Sequence, residues 1–210
     1  MTKNINVINN TGNKVDVVLD AVKDGIQIVI NPQTPEIELS LLSPGDVFEK
    51  NGVKYIVCEQ FDDGTTAVVR KECLDMKMEF GYNNNWIESK WRKYLNNEYL
   101  KELEQAFGIN NIVEHRVDLT SLDGYDDYGI STDKVSVMNI DRYRKYHKHI
   151  GNTGKSHYLS TPNSTPSGFG ASDVHYVSVC GGVCCSDCDW CGGARPFFIL
   201  SSRSIVTTCD

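Results

Sequence analysis

Short segments in which apolar and polar positions alternate recur along the chain, and they are broken by two stretches whose apolar residues return every three or four places. KVDVVLD and GIQIVI near the N-terminus, then VKYIVCEQ and TTAVVRKECL, alternate and are rich in β-branched residues, which predicts strands. Asn51-Gly52, between DVFEK and VKYIVCEQ, supplies the two positive φ angles of a two-residue hairpin. FDDG predicts a second turn at Asp63-Gly64. A helix is expected from Trp86, with Asn85 as its cap and Glu88 as the reciprocal partner of a capping box. Its apolar face runs through Ile87, Trp91 and Leu95, then Leu100, Leu103 and Phe107, and Gly108 ends it. SLDGYDDYGIST reads as a loop, DKVSVM as a strand, and NIDRYRKYHKHIG as a second helix with Tyr143, Tyr146 and Ile150 turned inward. The last sixty residues hold three strand candidates, DVHYVSV, ARPFFIL and RSIV, between long polar connections. Strands and helices in this mixed order predict an α+β fold.

The chain divides into unequal parts. Its 210 residues exceed one typical domain of about 150. Residues 1–44, punctuated by Pro32, Pro35 and Pro44, hold strands too few to form a core alone, so they are expected to be a β-rich N-terminal extension for anchoring or oligomerisation. Residues 45–210 form the main domain. Within it, residues 151–210 are charge-poor: Ser, Thr, Gly and Asn supply 25 of the sixty and Cys six. That is the composition of exposed loops on a small sheet, where binding tends to reside.

Charge and hydropathy then exclude several classes. Lys and Arg number 21 against 28 Asp and Glu, a net charge of −7, so a nucleic-acid binder held by phosphate contacts is not expected. No run approaches the ~20 apolar residues of a membrane span, so membrane insertion is not expected. MTKNINVINNTGNK has no apolar core of signal-peptide length, which predicts synthesis and residence in the cytoplasm.

Cysteines carry the sharpest chemical signal. Cys180, Cys184, Cys185, Cys188 and Cys191 fall within twelve residues, whereas Cys58, Cys73 and Cys209 are scattered. Cys184, Cys185, Cys188 and Cys191 could supply thiolates to zinc, but a zinc ribbon uses two separated pairs. Disulfides formed outside the cell and free thiols in a tolerant loop are the other readings, and the sequence leaves all three open. Gly181-Gly182 and Gly192-Gly193 bracket this segment and predict turns of positive φ. His147 and His149, two apart, do not share a helix face, so they are not expected to chelate. Arg195, beside Pro196 and the apolar FFIL, is expected to be a structural ion pair or a clamp on carbonyls. No nucleophile elbow, phosphate loop, dinucleotide fingerprint or metalloprotease helix occurs.

The order GDVFEKNGVKYIV, WIESKWRKYLNNEYL, STDKVSVMNIDRYRKY, YLSTPNS, GGARPFFIL resembles an uncharacterised domain family of phages and gut bacteria, over roughly residues 45–206. Such domains resemble the C-type-lectin-like fold, shared with formylglycine-generating enzymes and with hypervariable phage receptor-binding proteins. Where the family carries Trp-Leu-Arg, this chain has Tyr158-Leu159-Ser160, and any role of that arginine is lost. Thr161-Pro162-Asn163 lacks the carboxylate that calcium-dependent sugar binding by true C-type lectins needs. The resemblance implies a C-type-lectin-like domain behind the extension, in a phage or prophage virion surface protein. Assembled in the host cytoplasm, it would bind a host-surface glycan or protein, touch other virion proteins through residues 1–44, and form a homo-oligomer. It would not be an enzyme. Small polar and aromatic residues of the kind adaptable paratopes use place the ligand face at Tyr176, Ser178, Ser186, Asp187, Asp189 and Trp190. Two alternatives stand beside it: a cysteine or metal enzyme like the formylglycine-generating ones, and a purely structural virion decoration protein.

Overall fold

The structure is a computed structural model, and it describes residues 15–22, 25–32 and 35–209. Among the described residues, strands β1 (Val15–Val22) and β2 (Gly25–Pro32) pair only with each other, antiparallel and in full register. Next come β3 (Glu36–Glu38), β4 (Val47–Lys50), β5 (Val53–Gln60), β6 (Thr65–Arg70) and β7 (Met78–Glu79). Helices α1 (Lys90–Tyr94) and α2 (Leu100–Phe107) are joined by a π-helical turn at Leu95–Tyr99. Beyond them lie β8 (Ile112–Val113), β9 (His115–Asp118), β10 (Ile130–Asp133), β11 (Val135–Ser136) and α3 (Ile140–Ile150). The chain continues through β12 (His157–Pro162), β13 (Asp173–Val177), β14 (Val183–Asp187), β15 (Cys191–Gly192), β16 (Phe197–Ser201) and β17 (Ile205–Thr208).

The centre is an antiparallel sheet in the order β11-β16-β6-β5-β4-β17-β3, with β8 also on β16. Asn51 and Gly52 take φ of 51° and 78° and join β4 to β5 with Lys50 opposite Val53, the expected two-residue hairpin. Because side chains alternate across a strand, one sheet feeds two cores. Tyr55, Val57, Val68, Phe198 and Leu200 pack with Trp91, Leu95, Tyr99, Leu103 and Phe107 of the α1–α2 segment. Ile56, Cys58, Ala67, Val69 and Phe197 pack with Ile140, Tyr146 and Ile150 of α3. The architecture is α+β, a sheet covered on both faces.

Several expectations change in detail. Residues 36–42, grouped above with the extension, complete the central sheet: β3 pairs with β17, and Leu39 is fully buried with its N–H donating to the Ser204 carbonyl. Asn85 does cap the turn at Trp86, accepting from the Ile87 N–H at 3.0 Å. Glu88 instead accepts from Asn83 Nδ2, and Ser89 caps α1 by accepting from Arg92 N–H. Ile87 is exposed; the inward tryptophans are Trp86 and Trp91. Asn139 caps α3 through the Arg142 N–H, and Tyr143, Tyr146 and Ile150 face inward as expected. Arg195 is a carbonyl clamp: buried, it donates to the carbonyls of Arg70, Lys71, Ile150 and Gly151 at 2.8–3.0 Å. Among the described residues no helix is long and apolar enough to cross a membrane.

Candidate ligand-binding face

The cysteine-rich segment is a strand rather than a loop. β14 pairs along β13 with Val177 opposite Val183 and Asp173 opposite Asp187, and β12 flanks β13 on its other side. Of the bracketing glycines only Gly181 has a positive φ, 86°, in the β13–β14 turn. Gly192 answers a different need: a Cβ there would lie 2.6–2.7 Å from the Trp190 and Tyr158 rings. Trp190 thus packs closely against the domain, its ring 4.7 Å from Tyr176 and 5.3 Å from Tyr158, while the Tyr158 hydroxyl donates to its carbonyl.

Strand geometry separates the six residues proposed for the ligand face. Tyr176, Ser178 and Ser186 share one side of the hairpin, and the Trp190 ring packs at a tilt against Tyr176. Asp187 lies at the far end from Ser178, roughly 17 Å away for five residues of strand. Asp187 and Asp189 are exposed and flank a second group of loops. Ser178 instead stands beside Cys180, its Oγ 3.1 Å from the Cys180 Sγ. That hydroxyl and the Gly182 N–H hold the exposed Cys180 thiol below its usual pKa.

The four thiols weighed as zinc ligands do not converge. Cys184 and Cys185 are successive residues of β14 and point to opposite sides of the hairpin. Cys188 is buried, which pushes its thiol up to about 12. Cys191 pairs with Glu79 in the small β7–β15 sheet. Among the described residues no three His, Cys, Asp or Glu side chains are grouped to hold a metal, and all eight cysteines are free thiols.

Residues that sequence reasoning passed over form the more coherent surface. Asn84 is fully buried and ties loops together: its Nδ2 donates to the carbonyls of Ser164 and Asp173, its Oδ1 accepts from the Tyr128 hydroxyl at 2.7 Å, and its N–H donates to Ala171. Cys188 joins the same assembly, its carbonyl accepting from the N–H groups of Phe80 and Gly81 and its N–H donating to Ser172. The 121–129 loop is fixed to the 163–172 loop where Asp123 accepts from Ser121 Oγ and Ser164 Oγ, and where Asp127 accepts from Ser167 N–H. These donors lower the pKa of both carboxyls, so both stay charged into acidic solution.

On this platform Tyr82 and Phe169 are essentially fully exposed, at 102% and 96%, and Leu122 and Tyr125 are also open to solvent. Their signal in the sequence is aromatic residues inside Gly-, Asn- and Ser-rich stretches with no apolar periodicity to draw them inward. Comparison of the chain with protein-family models, with curated proteins and with solved structures finds no match.

Proposed function

We propose that the protein is a binding module of the C-type-lectin-like kind, displayed on a phage or prophage virion, that contacts a host-surface glycan or protein through its loop face. One observation carries the reading: four loops are hydrogen-bonded into a platform from which Tyr82 and Phe169 project, both fully exposed among the described residues. Exposed aromatics on a rigid base match the requirements of a contact surface, because little conformational entropy is lost when they are covered. A sheet braced by helices on both faces supports the C-type-lectin-like assignment, as do the sequence motifs that resemble that family. The ligand face moves from the six residues read in the sequence to the loops beside Asp187 and Asp189.

Binding to intact bacterial cells and to a glycan array tests this. The double variant Tyr82→Ala/Phe169→Ala should melt as the parent does, since both rings lie in solvent, and should lose cell or glycan binding. Equal binding by parent and double variant would reject the loop face as the ligand site.

A further inference from the structure

The charge of the chain is concentrated on this face. The segments 80–89, 119–131, 162–173 and 186–190 contain Glu88, Asp123, Asp126, Asp127, Asp173, Asp187 and Asp189, and no Lys, Arg or His. Removing those seven from 28 acidic residues leaves 21 against 21 basic ones. The rest of the molecule is thus neutral, and the whole net charge of −7 belongs to the loops that carry the exposed rings.

We propose that the loop face binds a lysine- or arginine-rich segment of a partner polypeptide, whose cations stack on Tyr82, Tyr125 and Phe169 and pair with the surrounding carboxylates. This rests on the loop face being the ligand site and adds the chemistry of the ligand. The rim of the face already shows the mode of contact: the Lys90 ammonium, paired with Glu79, stands 5.8 Å from the centroid of the Tyr82 ring. Long side chains with apolar stems and charged heads satisfy rings and carboxylates together. A compact divalent cation would need converging carboxylates, and no such group exists among the described residues. A neutral saccharide would cover the rings and leave the carboxylates without counter-charge. Like charge spread over one face also speeds encounter with a cationic partner, an effect that salt screens.

Fluorescence anisotropy of labelled nona-arginine and nona-lysine peptides tests the proposal. Binding should weaken by about tenfold between ~50 and ~300 mM salt. Tyr82→Ala/Phe169→Ala leaves net charge unchanged and should weaken peptide binding about tenfold. Asp126→Asn/Asp189→Asn should weaken it and flatten the salt dependence, while Glu36→Gln/Glu114→Gln removes two charges elsewhere and should do neither. Unchanged affinity in the aromatic variant, or an equal loss in the Glu36/Glu114 control, would overturn the proposal as mere attraction to an acidic protein. Equal competition by glucosamine oligomers would overturn the polypeptide assignment. Cell binding that needs Tyr82 and Phe169 but ignores both salt and peptide would reject the cationic ligand and leave the loop face standing. Cell binding indifferent to both rings would reject the face itself.

Discussion

Single residues at two points hold together segments distant in sequence. Arg195 closes the C-terminal end of α3 onto the end of β6 through four carbonyls. Arg195→Met should therefore leave buried acceptors unpaired and cost about 3–5 kcal/mol in urea unfolding. Asn84→Ala would strip partners from Ser164, Asp173 and Tyr128 together; a loss of about 2–4 kcal/mol is expected, with binding falling alongside stability. His115 and His157 set the acid limit. Burial, with Arg142 nearby, lowers the His115 pKa to about 3, and burial lowers that of His157 to about 4, so both are neutral in the folded protein. The unfolded chain takes up these protons near pH 6.5, so stability is complete above that pH and falls as pH drops towards 4. Each histidine should remove about 2 kcal/mol by pH 5. His157→Gln should flatten the melting temperature measured between pH 7.5 and 5, and an unchanged slope would show that this histidine is not the sensor.

At the scale of elements, legibility followed local chemistry. The Asn51-Gly52 hairpin and the Asn85 cap could be read because a turn or a cap is decided by residues adjacent in sequence. The π-helical turn could not. Trp91, Leu95, Tyr99, Leu103 and Phe107 all enter one core at spacings of four, whereas residues four apart on an α-helix drift around the axis. One wider turn at Leu95–Tyr99 restores their alignment. Asn96 and Asn97 occupy the carbonyls around it: Asn96 Nδ2 donates to Arg92 and Val135, and Asn97 Nδ2 to Lys93. The Leu-Asn-Asn run was visible, but its purpose depends on β11, whose Val135 N–H also bonds the Asn96 amide oxygen. Trp91→Ala should cost about 3–5 kcal/mol, measurable as a lowered denaturant midpoint, because the ring is wholly buried. The β14 strand was misread for a related reason: VCCSD has little strand character alone and is ordered by β13 beside it. Likewise, the exposed rings of the loop face have no periodicity to announce them, whereas its charge could have been counted.

For the whole molecule, the boundary of the extension is the first thing to measure. A chain starting at residue 35 keeps β3 and Leu39 and should melt cooperatively near the parent's temperature. One starting at 41 loses the edge strand and a fully buried leucine, and should melt several degrees lower. Equal melting of the two would place the boundary back at residue 44. The sheet order has a further consequence in time. β16 occupies the interior of the sheet between β6 and the β8–β11 edge, and β17 joins β4 to β3, yet both come from residues 197–208. During synthesis the earlier strands emerge with their central gaps unfilled and must wait, exposed, for the segment that locks them. Such a chain acquires its shape in one late step, once residues 197–208 have left the ribosome, and a ribosome stalled near residue 190 would hold a sticky, protease-sensitive polypeptide in place of a half-built domain.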